Sequence, residues 1–194
     1  AHDDLRDSNF IGACVDALEQ NPLAVLCQTQ VLMFVEGVDD PICRISLDSF
    51  KHMTVRRERR YMECLQNFPA VGIYGVYRTE VIKRTKLLRN VIATDLSFIL
   101  ELSLFGDFIQ VRTDLFNYRM RRRWSTIEED FKTFFGGKNK PFWYSPFVML
   151  YVDHSRRLLF ADVGVLSKTF MFLVLMRRCL RHIVLQVSVR VVCR

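Results

Sequence analysis

Three features of this sequence combine residue types and spacings that could do chemistry. The first is His2-Asp3-Asp4. Adjacent carboxylates can hold a hard divalent cation, Mg²⁺ or Mn²⁺, which prefers oxygen ligands and completes its shell with substrate phosphates. Taken alone, the pair is a weak motif and reads first as a solvated turn or a helix cap. The second is Asp95, which follows Thr94 at the head of an apolar segment. A carboxylate there can take a proton from a hydroxyl within hydrogen-bond reach. The helix macrodipole favours the same placement with no chemistry at all. The third is Arg119, Arg121, Arg122 and Arg123, followed by Trp124. Clustered guanidinium groups can clamp a diphosphate, and the competing description is a solvated basic turn. His52, His154 and His182 have no ligand-like neighbours and read as ordinary core or surface residues.

Regular elements must position these groups. Phe10, Ile11, Cys14, Val15 and Leu18 predict one apolar stripe of a helix from about Ser8 to Gln20, capped by Asp7 or Ser8 and ended by Asn21-Pro22. Ala24 to Phe34 reads as a buried strand and Glu36 to Pro41 as a turn. The later half of Ser46–Asn67 reads as a helix carrying Arg56, Arg57, Arg59 and Arg60. Val71 to Tyr77 is strand-like, and Thr79 opens a short helix to about Leu88. Thr94 is expected to cap a buried helix that Gly106 stops. Phe108–Val111 and Leu115–Tyr118 read as two strands. Ser125-Thr126-Ile127-Glu128 is a capping box for a helix that should stop at Gly136-Gly137, and helices are expected from Pro146 onward. Alternating helices and strands predict α/β layering.

The order of these segments resembles family 2 glycosyltransferases of the GT-A fold. The resemblance rests on the acidic pair, the capped helix closed by Asn-Pro, and the strand after it. It continues through Gly72-Ile73-Tyr74-Gly75-Val76-Tyr77-Arg78, Thr85-Lys86-Leu87-Leu88, the Thr94–Gly106 segment and Leu115-Phe116-Asn117-Tyr118-Arg119, covering roughly residues 1–125. It implies that Asp3 and Asp4 hold the divalent metal and the nucleotide diphosphate, and that Gly75 and Arg78 border the acceptor site. It also implies that Asp95 is the catalytic base of an inverting transfer, and that Arg119, Arg123 and Trp124 contact substrate. The sequence departs from the family pattern in two places. Ala1 stands where a further acidic residue is usual, and Met120 stands where processive members carry Gln before the Arg-Trp motif. The implied protein is a transferase that moves a sugar from a nucleotide-diphosphate donor to a hydroxyl acceptor on a glycan, lipid or protein. Residues 1–145 would form the C-terminal part of a three-layer GT-A domain, truncated at its metal motif, and 146–194 a helical, basic extension.

Composition fits a folded domain. Half of the 194 residues are hydrophobic and a quarter are charged, which argues against disorder. The net charge of +7 favours acidic partners. Six cysteines without a C-x-x-C pair or zinc spacing read as reduced thiols and suggest a cytoplasmic location. The apolar run from Leu158 to Met176 is broken by Asp162 and Lys168, short of the roughly 20 residues a spanning helix needs. A basic amphipathic helix lying on an anionic membrane and one packed on the domain are the two readings of that segment. A non-catalytic basic module for membrane or nucleic acid is the main rival to the transferase. No nucleic-acid motif is present, so no nucleic acid is expected. A His-Asp phosphohydrolase ranks last, because no other His precedes an Asp.

Overall fold

A computed structural model describes residues 4–45, 56–67, 70–120, 129, 132–133 and 146–192. Its centre is β2 (Ala24–Val35), an apolar strand whose first six residues are buried. The long strand β5 (Asp107–Met120) runs parallel to β2 over its whole length. On the outer side of β5, β1 (Leu5–Arg6) pairs antiparallel at Phe116–Asn117. On the opposite side of β2, two short antiparallel strands share one edge. They are β3 (Cys43–Ile45), at Val31–Met33, and β4 (Val76–Tyr77), at Leu26–Cys27.

Helices cover both faces of this mixed sheet. Helix α1 (Phe10–Gln20) places Phe10, Cys14 and Leu18 against Ala24, Cys27, Val31 and Phe116. Full burial of a side chain such as Phe10 or Leu18 is worth about 1.5–3 kcal/mol. The stripe is narrower than its apolar residues predict, since Ile11 and Val15 are exposed. Its N-cap is Asn9, while Asp7 accepts the Asn9 N–H at 2.8 Å instead of capping the helix itself. The other face carries α4 (Thr94–Leu102), buried from Ser97 to Leu102. Around α4 lie α2 (Arg57–Asn67), α5 (Pro146–Phe160) and α6 (Val165–Val192). Phe98, Ile99 and Leu102 meet Val25, Leu26 and Phe108 from the sheet, and Leu158 and Met171 from the two C-terminal helices. The protein is therefore a mixed α/β fold.

Several boundaries differ from the sequence expectation. Residues 108–111 and 115–118 belong to one strand, because polar Arg112 and Thr113 are absorbed as an irregularity between the Thr29–Val111 and Gln30–Asp114 pairs. Thr94 is not a cap. It lies inside the helix after Ala93, whose left-handed φ of 50° turns the chain, and its Oγ1 accepts the Arg89 N–H at 2.8 Å. Gly106 does not stop α4, which ends at Leu102. A Cβ at Gly106 would stand 2.4 Å from Val25 Cγ1 and 2.6 Å from the Leu23 carbonyl, so β5 needs glycine there to lie against β2. The segment around Val71 is a 3-10 turn (Ala70–Tyr74) before β4. The short helix α3 (Thr79–Ile82) ends well before Leu88. Asp3, Arg121–Arg123, Trp124 and the capping-box start lie outside the described residues, although Glu129, Lys132 and Thr133 are helical.

Candidate functional site

The carboxylate with the strongest structural credentials is Asp95. The chain reaches it through a loop, 83–93, that contains two non-glycine residues in the left-handed region, Leu87 (φ 54°) and Ala93 (φ 50°). Each such residue costs on the order of 1–2 kcal/mol, and such strain persists where surrounding contacts over-determine it. The turn at Ala93 puts Asp95 in the first turn of α4, where its Oδ1 accepts the Leu96 N–H at 2.9 Å. Burial nevertheless pushes the Asp95 carboxyl above its ordinary range, more than its backbone N–H partners pull it down.

Tyr77 lies within electrostatic range of it. Its hydroxyl donates to the Gly72 carbonyl at 2.7 Å, and its ring meets Phe98 edge-on at 5.6 Å. Burial raises its phenol pKa. The charge on Asp95 raises it further and the charge on Arg6 lowers it. Arg6 in turn donates to the Tyr74 carbonyl at 3.3 Å and lies over the rings of Phe10 and Phe116. Tyr77 thus feels both a cation, Arg6, and a half-buried carboxylate, Asp95. Sequence reasoning missed both Arg6 and Tyr77.

The other expected site residues fall as follows. Asp4 Oδ1 accepts the Arg119 backbone N–H at 3.0 Å, so the acidic motif and the end of β5 are joined, and the Arg119 side chain is exposed. Asp4 offers the hard oxygen a divalent cation would require. However, the described residues contain no group of three or more His, Cys, Asp or Glu able to hold a metal.

Gly75 and Arg78 have structural work. A Cβ at Gly75 would lie 2.5 Å from Leu26 Cδ1 and 2.7 Å from the Cys27 carbonyl. Gly75→Ala should therefore push β4 off β2 and cost about 1–3 kcal/mol, read as a lower urea midpoint. Gly12→Ala is the control of opposite sign. Nothing lies within 4 Å of its added Cβ, and replacing a glycine in the first turn of a helix by alanine should stabilise, by up to about 0.5–1 kcal/mol, the mid-helix value. Arg78 donates from Nε to the Ala24 carbonyl at 2.7 Å and from Nη2 to the Leu18 carbonyl at 2.5 Å and the Asn21 carbonyl at 3.3 Å. It fastens the C-terminal end of α1 to the start of β2.

Behind Asp95 lies a buried ionic network that the sequence did not announce. Arg157 of α5 donates from Nη1 to Glu101 at 2.5 Å, from Nε to Asp153 at 2.6 Å and from Nη2 to the Leu87 carbonyl at 2.9 Å. Glu101 also accepts the Lys86 backbone N–H, and Asp153 pairs with Arg89 at 3.4 Å. These contacts fix the strained loop at Lys86, Leu87 and Arg89, and the loop delivers Asp95. Adjacent His154 is buried, its Nδ1 lacks a hydrogen-bond partner, and burial lowers its pKa from 6.5 to about 4. Neutral His154 therefore adds stability above pH 6.5, and that contribution is lost as pH falls through this window towards 4. His154→Phe should flatten the acid limb of a melting-temperature profile between those values. An unchanged limb would show that His154 is not what acid attacks.

Comparison with models of protein families, with curated proteins and with solved structures finds no match to this chain.

Proposed function

We propose that this chain is the acceptor-side part of a glycosyltransferase catalytic domain of the family 2, GT-A type, and that Asp95 is its catalytic base. The observation that carries the reading is the placement of Asp95. It lies in the first turn of α4, half-buried, with a carboxyl made more basic by desolvation and Tyr77 within electrostatic range. The parallel β2–β5 pair with helices on both faces is compatible with that fold type. So is the contact between the acidic motif and Arg119 at the carboxyl end of β5, where open α/β sheets bind ligands.

In this reading the acceptor hydroxyl gives its proton to Asp95 as its oxygen bonds to the anomeric carbon. The bond from that carbon to the diphosphate breaks, and the diphosphate leaves with the electron pair. A base whose pKa approaches the working pH serves such a step best. Exposed Arg6 and Arg119, with Arg123 further along the chain, supply positive charge where the diphosphate develops negative charge. A divalent metal on Asp3 and Asp4 would add to that field. The donor is a nucleotide-diphosphate sugar and the acceptor a hydroxyl-bearing glycan, lipid or protein.

The resemblance requires a donor-binding segment ahead of residue 1. The 194 residues alone should therefore release no nucleoside diphosphate from a panel of nucleotide sugars, since donor positioning is worth several kcal/mol of the barrier. Joined to that segment, the protein should release nucleoside diphosphate in an acceptor-dependent manner. Robust turnover by the 194 residues alone would overturn the partial-domain reading. Silence from the joined protein across the panel would overturn the transferase.

A further inference from the structure

The turn between α5 and α6 exposes apolar side chains in an unusual concentration. Leu159 and Phe160 end α5, with Phe160 74% exposed. Val165 and Leu166 begin α6, with Leu166 88% exposed. Phe170 and Leu173 continue the exposed line along α6 at helical spacing. Single exposed apolar residues need no explanation, whereas a contiguous group of this kind marks an interaction surface.

Charge identifies what the surface meets. Beside Phe160 an open pocket of about 490 Å³ is lined by Lys86, Arg89, Arg156 and Phe160, with no carboxylate among the described residues of its wall. The Lys86 ammonium sits 5.3 Å from the Phe160 ring centre. Of these cations, Arg89 shares Asp153 with Arg157, while Lys86 and Arg156 are exposed. Lys168 donates to the Leu159 carbonyl at 2.8 Å, fixing the end of α5 against the start of α6. The tip is thus a built hairpin with an apolar crest and a cationic pocket at its side. Among the described residues no helix is long and apolar enough to cross a membrane, so contact with lipid here would be from the surface.

We infer that this hairpin tip docks the protein on an anionic phospholipid bilayer, with Lys86, Arg89 and Arg156 gathering lipid phosphates while Leu159, Phe160 and Leu166 enter the acyl boundary. Apolar insertion plus electrostatic attraction is the combination that holds a peripheral protein on a membrane. The proposal does not rest on the transferase reading: Lys86 and Arg89 reach Asp95 only through the loop that leads to it, and Arg156, Leu159, Phe160 and Leu166 lie outside that loop.

Vesicle sedimentation tests it. The protein should sediment with phosphatidylcholine vesicles that contain phosphatidylserine, and at least about tenfold more weakly with phosphatidylcholine alone. Raised salt should weaken binding to the anionic vesicles. The pair Lys86→Glu with Arg156→Glu should cut that binding by a similar factor. Phe160→Ser with Leu166→Ser should cut it while leaving the melting temperature in solution unchanged. If the serine pair unfolds the protein, the charge-reversed pair and the salt series decide. Equal binding to neutral vesicles, no binding to either, or charge-reversed protein that binds normally would overturn the proposal. So would a dimer in sedimentation velocity that Phe160→Ser with Leu166→Ser dissociates, since a second copy would then be the occupant.

Discussion

Asp95→Asn, in the protein joined to its donor-binding segment, should lower kcat by roughly 10²–10⁴-fold with donor affinity nearly intact. A base acts only as the acceptor oxygen loses its proton, so its loss appears in the chemical step and not in ground-state binding. The fold should survive, because Asn keeps the side-chain oxygen that accepts the Leu96 N–H. Stability should move in the opposite direction from activity. Burial holds the Asp95 carboxyl above its ordinary value, so the fold favours the protonated acid. That preference contributes below the unfolded-state value of 3.8 and is lost as pH rises through the raised one. At neutral pH the wild-type fold therefore carries a desolvated charge that the variant lacks. Asp95→Asn should melt at or above the wild-type temperature near pH 7, and the gap should close in acid. Asp4→Asn provides the contrast: it keeps an oxygen for the Arg119 N–H but removes the negative charge of the acidic motif, so donor affinity should fall along with rate. Turnover by Asp95→Asn at close to the wild-type rate would reduce Asp95 to a helix-start residue.

Sequence pattern made some of this legible and concealed the rest, for identifiable reasons. The apolar run Ala24–Val35 and the Phe10, Cys14, Leu18 spacing announce β2 and α1, because burial on a sheet face leaves a continuous signal. The place of Asp95 at the head of α4 was legible because the apolar residues after Thr94 announce a buried helix, whereas the left-handed reversal at Ala93 left no sequence signal, so that Thr94 reads as the cap. Strand β5 was misread as two pieces because polar Arg112, Thr113 and Asp114 look like a turn. Their side chains stay near solvent at a register shift, and Asp114 meets Arg44 at 2.6 Å. Gly75 and Arg78 carried a substrate expectation, while packing against β2 and the end of α1 gives each a structural reason to be where it is. The Glu101–Arg157–Asp153 network was invisible. Its members are 56 and 4 residues apart, and nothing in a local window says that a charged residue will be buried.

Arg157→Leu should be the most destabilising single change in the described core, at about 3–5 kcal/mol. Leucine fits an apolar setting, so the cost comes from what Arg157 leaves behind. Glu101 and Asp153 are both nearly fully buried; Glu101 would lose its cation and Asp153 would keep only Arg89, at 3.4 Å. Burial already holds the Glu101 carboxyl above its ordinary range, outweighing the opposing pull of Arg157, so the charge has no reserve of solvation to draw on. The Leu87 carbonyl would lose a partner in the same step, releasing a loop that holds left-handed Leu87 and Ala93. Two readouts separate this account from simple loss of packing. In a double-mutant cycle, Arg157→Leu combined with Glu101→Gln should cost less than the sum of the single changes, because the stranded charge has been removed. Hydrogen exchange at the Lys86 and Arg89 amides, which bond to Glu101 and Thr94, should quicken in Arg157→Leu well before the β2–β5 amides do. A cost under about 1 kcal/mol, or additive behaviour in the cycle, would mean that the network does not hold the loop. Asp95 would then be positioned by α4 alone.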